Sequence, residues 1–200
     1  MDIKRSLLLA LIAVFCIMSW AAKANAGGSL SPITVDIDPA KLLAEIGEGI
    51  AWLTSRHDQA TQNAIDRSRS TLQSSISELA ALNHLVAASL RSAAENGGHF
   101  SDAQKQEMFD DLREMGDRLL DMRDALHNID PRLAEKNTDL TVRLFSDQAG
   151  KATIIKGFNA ILDAPVDSYV APRDLRAWAR KFESFGDEMI RVNRKLAKAP

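Results

Sequence analysis

The large apolar residues Met108, Leu112, Met115, Leu119, Met122, Leu126 and Ile129 fall alternately four and three apart. That is the a/d spacing of a helix with one narrow buried seam. At about 100° per residue, Met108 to Leu126 lie within about 40° of one line on the helix. The opposite line carries Asp110, Glu114, Asp117, Asp121 and Asp124. One face is expected to pack against protein and the other to meet water. Ser101 and Gln104 form a capping box at the start, with Phe100 placed to staple the first turn. Asn96-Gly97-Gly98 stops the chain before this helix, and Asp130-Pro131 ends it and starts the next.

The same alternation returns in Leu175, Trp178, Phe182, Phe185, Met189, Val192 and Leu196, predicting a helix over about Arg173 to Ala197. A heptad of Ile65, Leu72, Leu79, Val86 and Ala93 predicts another from about Ala64 to Glu95, with Ile76, Leu82, Leu85 and Leu90 widening its stripe. Ser68, Ser70, Thr71, Ser74, Ser75 and Ser77 read as a solvated polar face of that helix. Asp38-Pro39 opens an earlier helix carrying Leu42, Leu43, Ile46, Ile50 and Leu53. Gly47 and Gly49 inside it cost roughly 1 kcal/mol each and read as a hinge, a close-packing spot or tolerated glycines. The polar stretch Thr54 to Asn63 leaves open whether these two helices are continuous.

After Asp130-Pro131 comes a sparser stripe of Leu133, Leu140, Leu144 and Phe145. Ser146-Asp147 is placed to cap a further segment with Ile154, Ile155, Phe158, Ile161 and Leu162, and Asp163 to Pro172 reads as a loop. None of these stripes can bury itself alone. The predicted fold is an all-α, antiparallel bundle of four to five helices, one domain over residues 38–200. The Asn96-Gly97-Gly98 turn makes the helices on either side of it neighbours.

Composition agrees with this class. Apolar residues make up 46% and charged residues 26%, values of a folded chain, and one Tyr leaves few strand formers. Residues 1–26 read as a cleaved signal peptide: Lys4 and Arg5, an apolar core from Leu7 to Trp20, then Ala24-Asn25-Ala26. That core is short for a membrane span. Phe15 before Cys16 argues against a lipoprotein signal. Residues 27–37 lack helical period and read as a flexible lead-in. Cys16 is the only cysteine, so the processed chain holds no disulfide and stands on its core. Without Asp2, Lys4, Arg5 and Lys23, the 25 basic and 27 acidic residues become 22 and 26, a net charge near −4. Nucleic acid and anionic lipid are poor partners for such a chain. The expected location is the periplasm or outside the cell, with no stable membrane insertion after cleavage.

Candidate chemistry is sparse. His57, His84, His99 and His127 never stand three or four apart, so no helix turn offers a pair of imidazoles to a metal. Asp124 and His127 have i,i+3 spacing but lie on different faces. Met108, Met115 and Met122 have the thioethers of a copper(I) site, yet seven-residue steps put them about 10.5 Å apart along the axis, too far to share an ion. They read as packing. No cysteine nucleophile, phosphate loop or zincin pattern is present, and no cofactor is expected. The acidic line is the sharpest functional clue. Asp110–Glu114 and Asp117–Asp121 repel at i,i+4, and a ridge kept despite that cost points to a basic partner.

Phe100-Ser101-Asp102-Ala103-Gln104-Lys105 resembles the aliphatic-Thr-x-x-Gln helix start of Spy-type periplasmic stress chaperones, with Phe and Ser in place of the usual Leu and Thr. The likeness spans six residues of one capping box and implies no activity. The expectation is an exported, non-enzymatic helical bundle that binds another protein, as chaperone, inhibitor or immunity factor, or secretion-system component. Its binding residues would be Asp110, Glu114, Asp117, Asp121 and Asp124, and a homo-oligomer stays open. The alternative is a small-ligand or metal-binding bundle that gathers His57, His84 or His127 by folding.

Overall fold

Local signals set the helix ends. The computed structural model describes residues 39–55, 58–145, 161 and 168–198. Five helices have defined bounds there: α1 Pro39–Thr54, α2 Gln59–Glu95, α3 Asp102–His127, α4 Pro131–Phe145 and α5 Pro172–Ala197. The described residues are helical apart from turns and connections and contain no strand. None of these helices is long and apolar enough to cross a membrane. The proposed signal peptide, the lead-in, Asp38, and most of the segment from Ser146 to Asp167 lie outside the described residues.

The first two helices are separate. Asp58 is the N-cap of α2, its carboxylate accepting from the Thr61 N–H at 2.8 Å. The α2 start is thus five residues earlier than Ala64, where the apolar pattern begins. Ser101 and Gln104 form the expected capping box on α3. At the end of α2 the Gly98 N–H reaches back to the Ala93 carbonyl at 2.8 Å, the 6→1 bond of a Schellman turn. Gly97 and Gly98 supply its left-handed backbone, at φ 73° and 95°. Asp130 restarts the chain as expected: its side chain accepts from the Arg132 N–H at 2.8 Å.

The two predicted seams are buried along their helices, and only Ile129, just past the end of α3, is half-buried. On α3 these are Met108, Leu112, Met115, Leu119, Met122 and Leu126; on α5 they run from Leu175 to Leu196. Both helices pack along α2 and run antiparallel to it, as the pairs Gln104–Ser92, Arg118–Glu78 and Asn193–Ser77 show. The helix α4 lies along α3, and α1 lies between α4 and α5. These are the contacts of a bundle, with α3 and α5 on α2 but not on each other.

The glycines of α1 make its double contact possible. They are two residues apart, so they face opposite sides of the helix. A Cβ at Gly47 would meet Val192 Cγ2 of α5 at 2.7 Å, and one at Gly49 would overlap the Leu133 side chain of α4. Both are places of close approach.

Two readings need correction, and one buried polar residue carried no signal. Ser68 and Ser75 are buried, not solvated; hydroxyls this small let α2 pack closely where a longer polar group would not fit. Leu85, read as part of the α2 stripe, is 51% exposed. Asn137 of α4, outside any apolar stripe, is fully buried and donates to the Leu119 carbonyl of α3 at 2.7 Å. That bond ties α4 to α3 at one register.

Candidate functional site

With the α3 seam turned inward, its opposite face is presented outward. Asp110, Asp117, Asp121 and Asp124 are exposed and Glu114 is half-buried. The five carboxylates do not form one uncompensated charge. Arg118, one turn inside the ridge, donates to Glu114 from Nε at 3.0 Å and to Asp121 from Nη1 at 3.0 Å. Its Nε also lies 2.7 Å from Glu78 of α2. The hydrogen bond to Glu114 chiefly holds this guanidinium above its ordinary pKa; burial opposes it, and the charges of Glu78, Glu114 and Asp121 add to it. Arg123 pairs with Asp124 at 2.8 Å, and Asp110 accepts from the Gln106 amide at 3.1 Å. The i,i+4 repulsions noted above are therefore largely offset within the surface. Each such exposed pair contributes little to stability but orients the carboxylates.

A second feature lies on the flank of α3 that faces α2. Gln104, Asp111 and Arg118 are seven apart on α3, and Ser92, Leu85 and Glu78 are seven apart on α2. Because the helices are antiparallel, these six positions stand as three rungs. The outer two are polar and satisfied: Gln104 Nε2 to Ser92 Oγ at 3.1 Å, and the Arg118–Glu78 ion pair. On the middle rung Asp111 stands level with the exposed Leu85. Asp111 Oδ2 is buried and has no protein hydrogen-bond partner. Burial foremost, then the charges of Glu107 and Asp110, push its carboxyl above the usual range.

A raised carboxyl pKa means that the folded state holds its proton more tightly than the unfolded chain does. Ionised Asp111 therefore costs stability above its folded pKa, and that cost disappears as pH falls toward the ordinary carboxylate range. Asp111→Asn is expected to raise the melting temperature at neutral pH, with the gain over wild type shrinking toward pH 4. Melts at a series of pH values test this. A gain independent of pH would show that charge is not the cause.

The remaining candidates are dispersed. The Met108, Met115 and Met122 side chains are all in the core. His84 Nε2 is 3.7 Å from Asp187 of α5 and packs over Gly186. His99 stands at a tilt against Tyr169, ring centroids 6.1 Å apart. His127 lines a shallow groove between the end of α3 and the start of α4, with Arg123, Asp124, Glu135 and Thr138. The antiparallel register puts His127 level with Arg69, about 22 Å along α2 from His84. Folding does not bring these two together, and His57 lies outside the described residues. Among the described residues no group of three His, Cys, Asp or Glu is arranged to hold a metal ion.

Glu78 and Asp111 were missing from the sequence-derived site. The signal for both was the seven-residue step from Gln104 to Asp111 to Arg118, which marks the flank turned to a neighbouring helix. A scan against protein-family models finds no match, and searches of the curated proteins and of the solved structures find none either.

Proposed function

We propose that this is an exported, non-enzymatic helical protein of the periplasm that works by binding another protein through the outward face of α3. A chaperone, an inhibitor or immunity factor, and a secretion-system component all fit this description. The observation that carries it is the division of labour on α3. Its seam from Met108 to Leu126 is buried in the core, while Asp110, Asp117, Asp121 and Asp124 are held outward. Arg118 and Arg123 orient three of the five ridge carboxylates, which suits recognition of a basic surface.

The test is capture from an extract of the cell envelope by wild-type protein and by a variant with Asp117→Lys and Asp121→Lys. Wild type is expected to enrich a defined protein that the variant loses at an unchanged melting temperature. Equal capture by both, or none by either, counts against the ridge as the recognition surface.

A further inference from the structure

The charge on the two helices that flank α2 is opposite in sign. The α3 helix carries eight acidic and four basic residues, and α5 carries seven basic and four acidic. Between them α2 is balanced, with three of each. The outward stripe of α5 bears Arg173, Arg176, Arg180, Arg191, Arg194 and Lys195, followed by Lys198 just past the helix, all exposed. Asp187 is the exposed acidic residue among them, and Arg191 also pairs with Glu188 at 2.7 Å. Among the described residues only α2 and α1 pack on α5, and only α2 and α4 on α3; Asp187, on the α5 stripe, reaches His84 of α2.

The two stripes also match in height. Gln104–Ser92 and Arg118–Glu78 set the register of α3 on α2. In that register Asp117, Asp121 and Asp124 stand level with Leu79, Ser75 and Leu72. Asn193–Ser77, His84–Asp187 and the bond from the Val170 N–H to the Gly98 carbonyl set the register of α5. There Arg191, Lys195 and Lys198 stand level with the same three residues. Because α3 and α5 both run antiparallel to α2, they run parallel to each other. A copy of the chain moved sideways, with no shift along the helix axes, sets its basic stripe against the acidic stripe of the first.

We infer that the partner of the α3 ridge is a second copy of this chain, docked through Arg191, Arg194, Lys195 and Lys198 of α5. The inference rests on the reading of the ridge as a recognition surface and names its occupant. The contact is heterologous: each copy offers one acidic and one basic face, so copies add in a row or close into a ring. Exposed ion pairs are individually weak and screened by salt, so assembly depends strongly on concentration and ionic strength.

Sedimentation velocity on the purified, naturally processed protein tests this. At low salt and high protein concentration the average mass is expected to rise about twofold or more over the high-salt value. Protein that remains monomeric under those conditions overturns the inference. Two charge-reversed variants locate the contact: one with Asp117→Lys, Asp121→Lys and Asp124→Lys, the other with Arg191→Glu, Arg194→Glu and Lys195→Glu. Each alone is expected to stay monomeric, and their equimolar mixture to regain assembly, because each then meets a face of opposite sign. Regained assembly requires two folded surfaces, so damaged folding cannot imitate it. Assembly that survives either reversal places the contact elsewhere and overturns the inference. A monomeric wild type that still captures another protein through Asp117 and Asp121 also overturns it, and leaves the binding reading standing.

Discussion

Leu119→Asp is expected to unfold or dissociate the bundle, while Asp121→Asn, two residues away, is expected to leave the melting temperature within about 2 °C of wild type. Leu119 is fully buried at the middle of the α3 seam, and its carbonyl accepts the bond from Asn137 that ties α4 down. A carboxylate there loses the apolar contact and meets no cation in the seam. The penalty for an unpaired buried charge, added to the lost packing, reaches roughly 5 kcal/mol or more, against a total stability of about 5–15 kcal/mol. Leu119→Ala, which leaves only a cavity, is expected to cost roughly 3 kcal/mol and still fold. Asp121 is exposed and shares Arg118 with Glu114 and Glu78, so its charge is replaceable. Thermal melts followed by circular dichroism decide the matter. Similar losses from Leu119→Asp and Asp121→Asn would overturn the assigned facing of α3.

Gly98→Ala is the second large effect, expected at roughly 3 kcal/mol or more. Two costs combine. Gly98 has φ 95°, which an L side chain rarely adopts, and a Cβ there would overlap the carbonyl oxygen of Val170. That obstacle is backbone and cannot rotate aside. The Val170 N–H donates to the Gly98 carbonyl at 3.0 Å, so the clash also breaks the bond joining the entry of α5 to the α2–α3 turn. Gly116 is the matched control. A Cβ there meets nothing within 4 Å, and Gly116→Ala in mid-helix is expected to stabilise by about 0.5–1 kcal/mol. Urea unfolding of the two variants should move the midpoint in opposite directions; a shift of the same sign in both would refute the role given to Gly98.

What could be read from the chain follows from the reach of each signal. Seams repeat over several turns, so α3 and α5 were readable residue by residue. Turn chemistry is local, so the Gly97-Gly98 stop, the Ser101 capping box and the Asp130-Pro131 restart were readable too. Asp58 was not, because the helix it caps begins with Gln59, Thr61, Gln62 and Asn63, which carry no apolar period. Ser68 and Ser75 look polar in sequence and are buried because close helix contact favours their size. Asn137 and Glu78 act through partners on other helices, Leu119 and Arg118, that no spacing within their own helix reveals. The ridge was legible as an outward face; its internal neutralisation by Arg118 and Arg123 was legible only in part, as Glu114–Arg118.

The two glycine contacts of α1 bear on the order in which the molecule is finished. Its binding slot is formed by Val192 of α5 on one side and Leu133 of α4 on the other. The slot therefore does not exist until a stretch more than a hundred residues further along the chain has been made and has folded. A chain still on the ribosome holds α1 and the α5-facing side of α2 without their α5 partner, while α2, α3 and α4 can already pack. Such long-range closure slows folding, because the loop must close before the contacts compensate for it. The helix α1, made before its neighbours, is thus a keystone that fits fully only once α5 is in place.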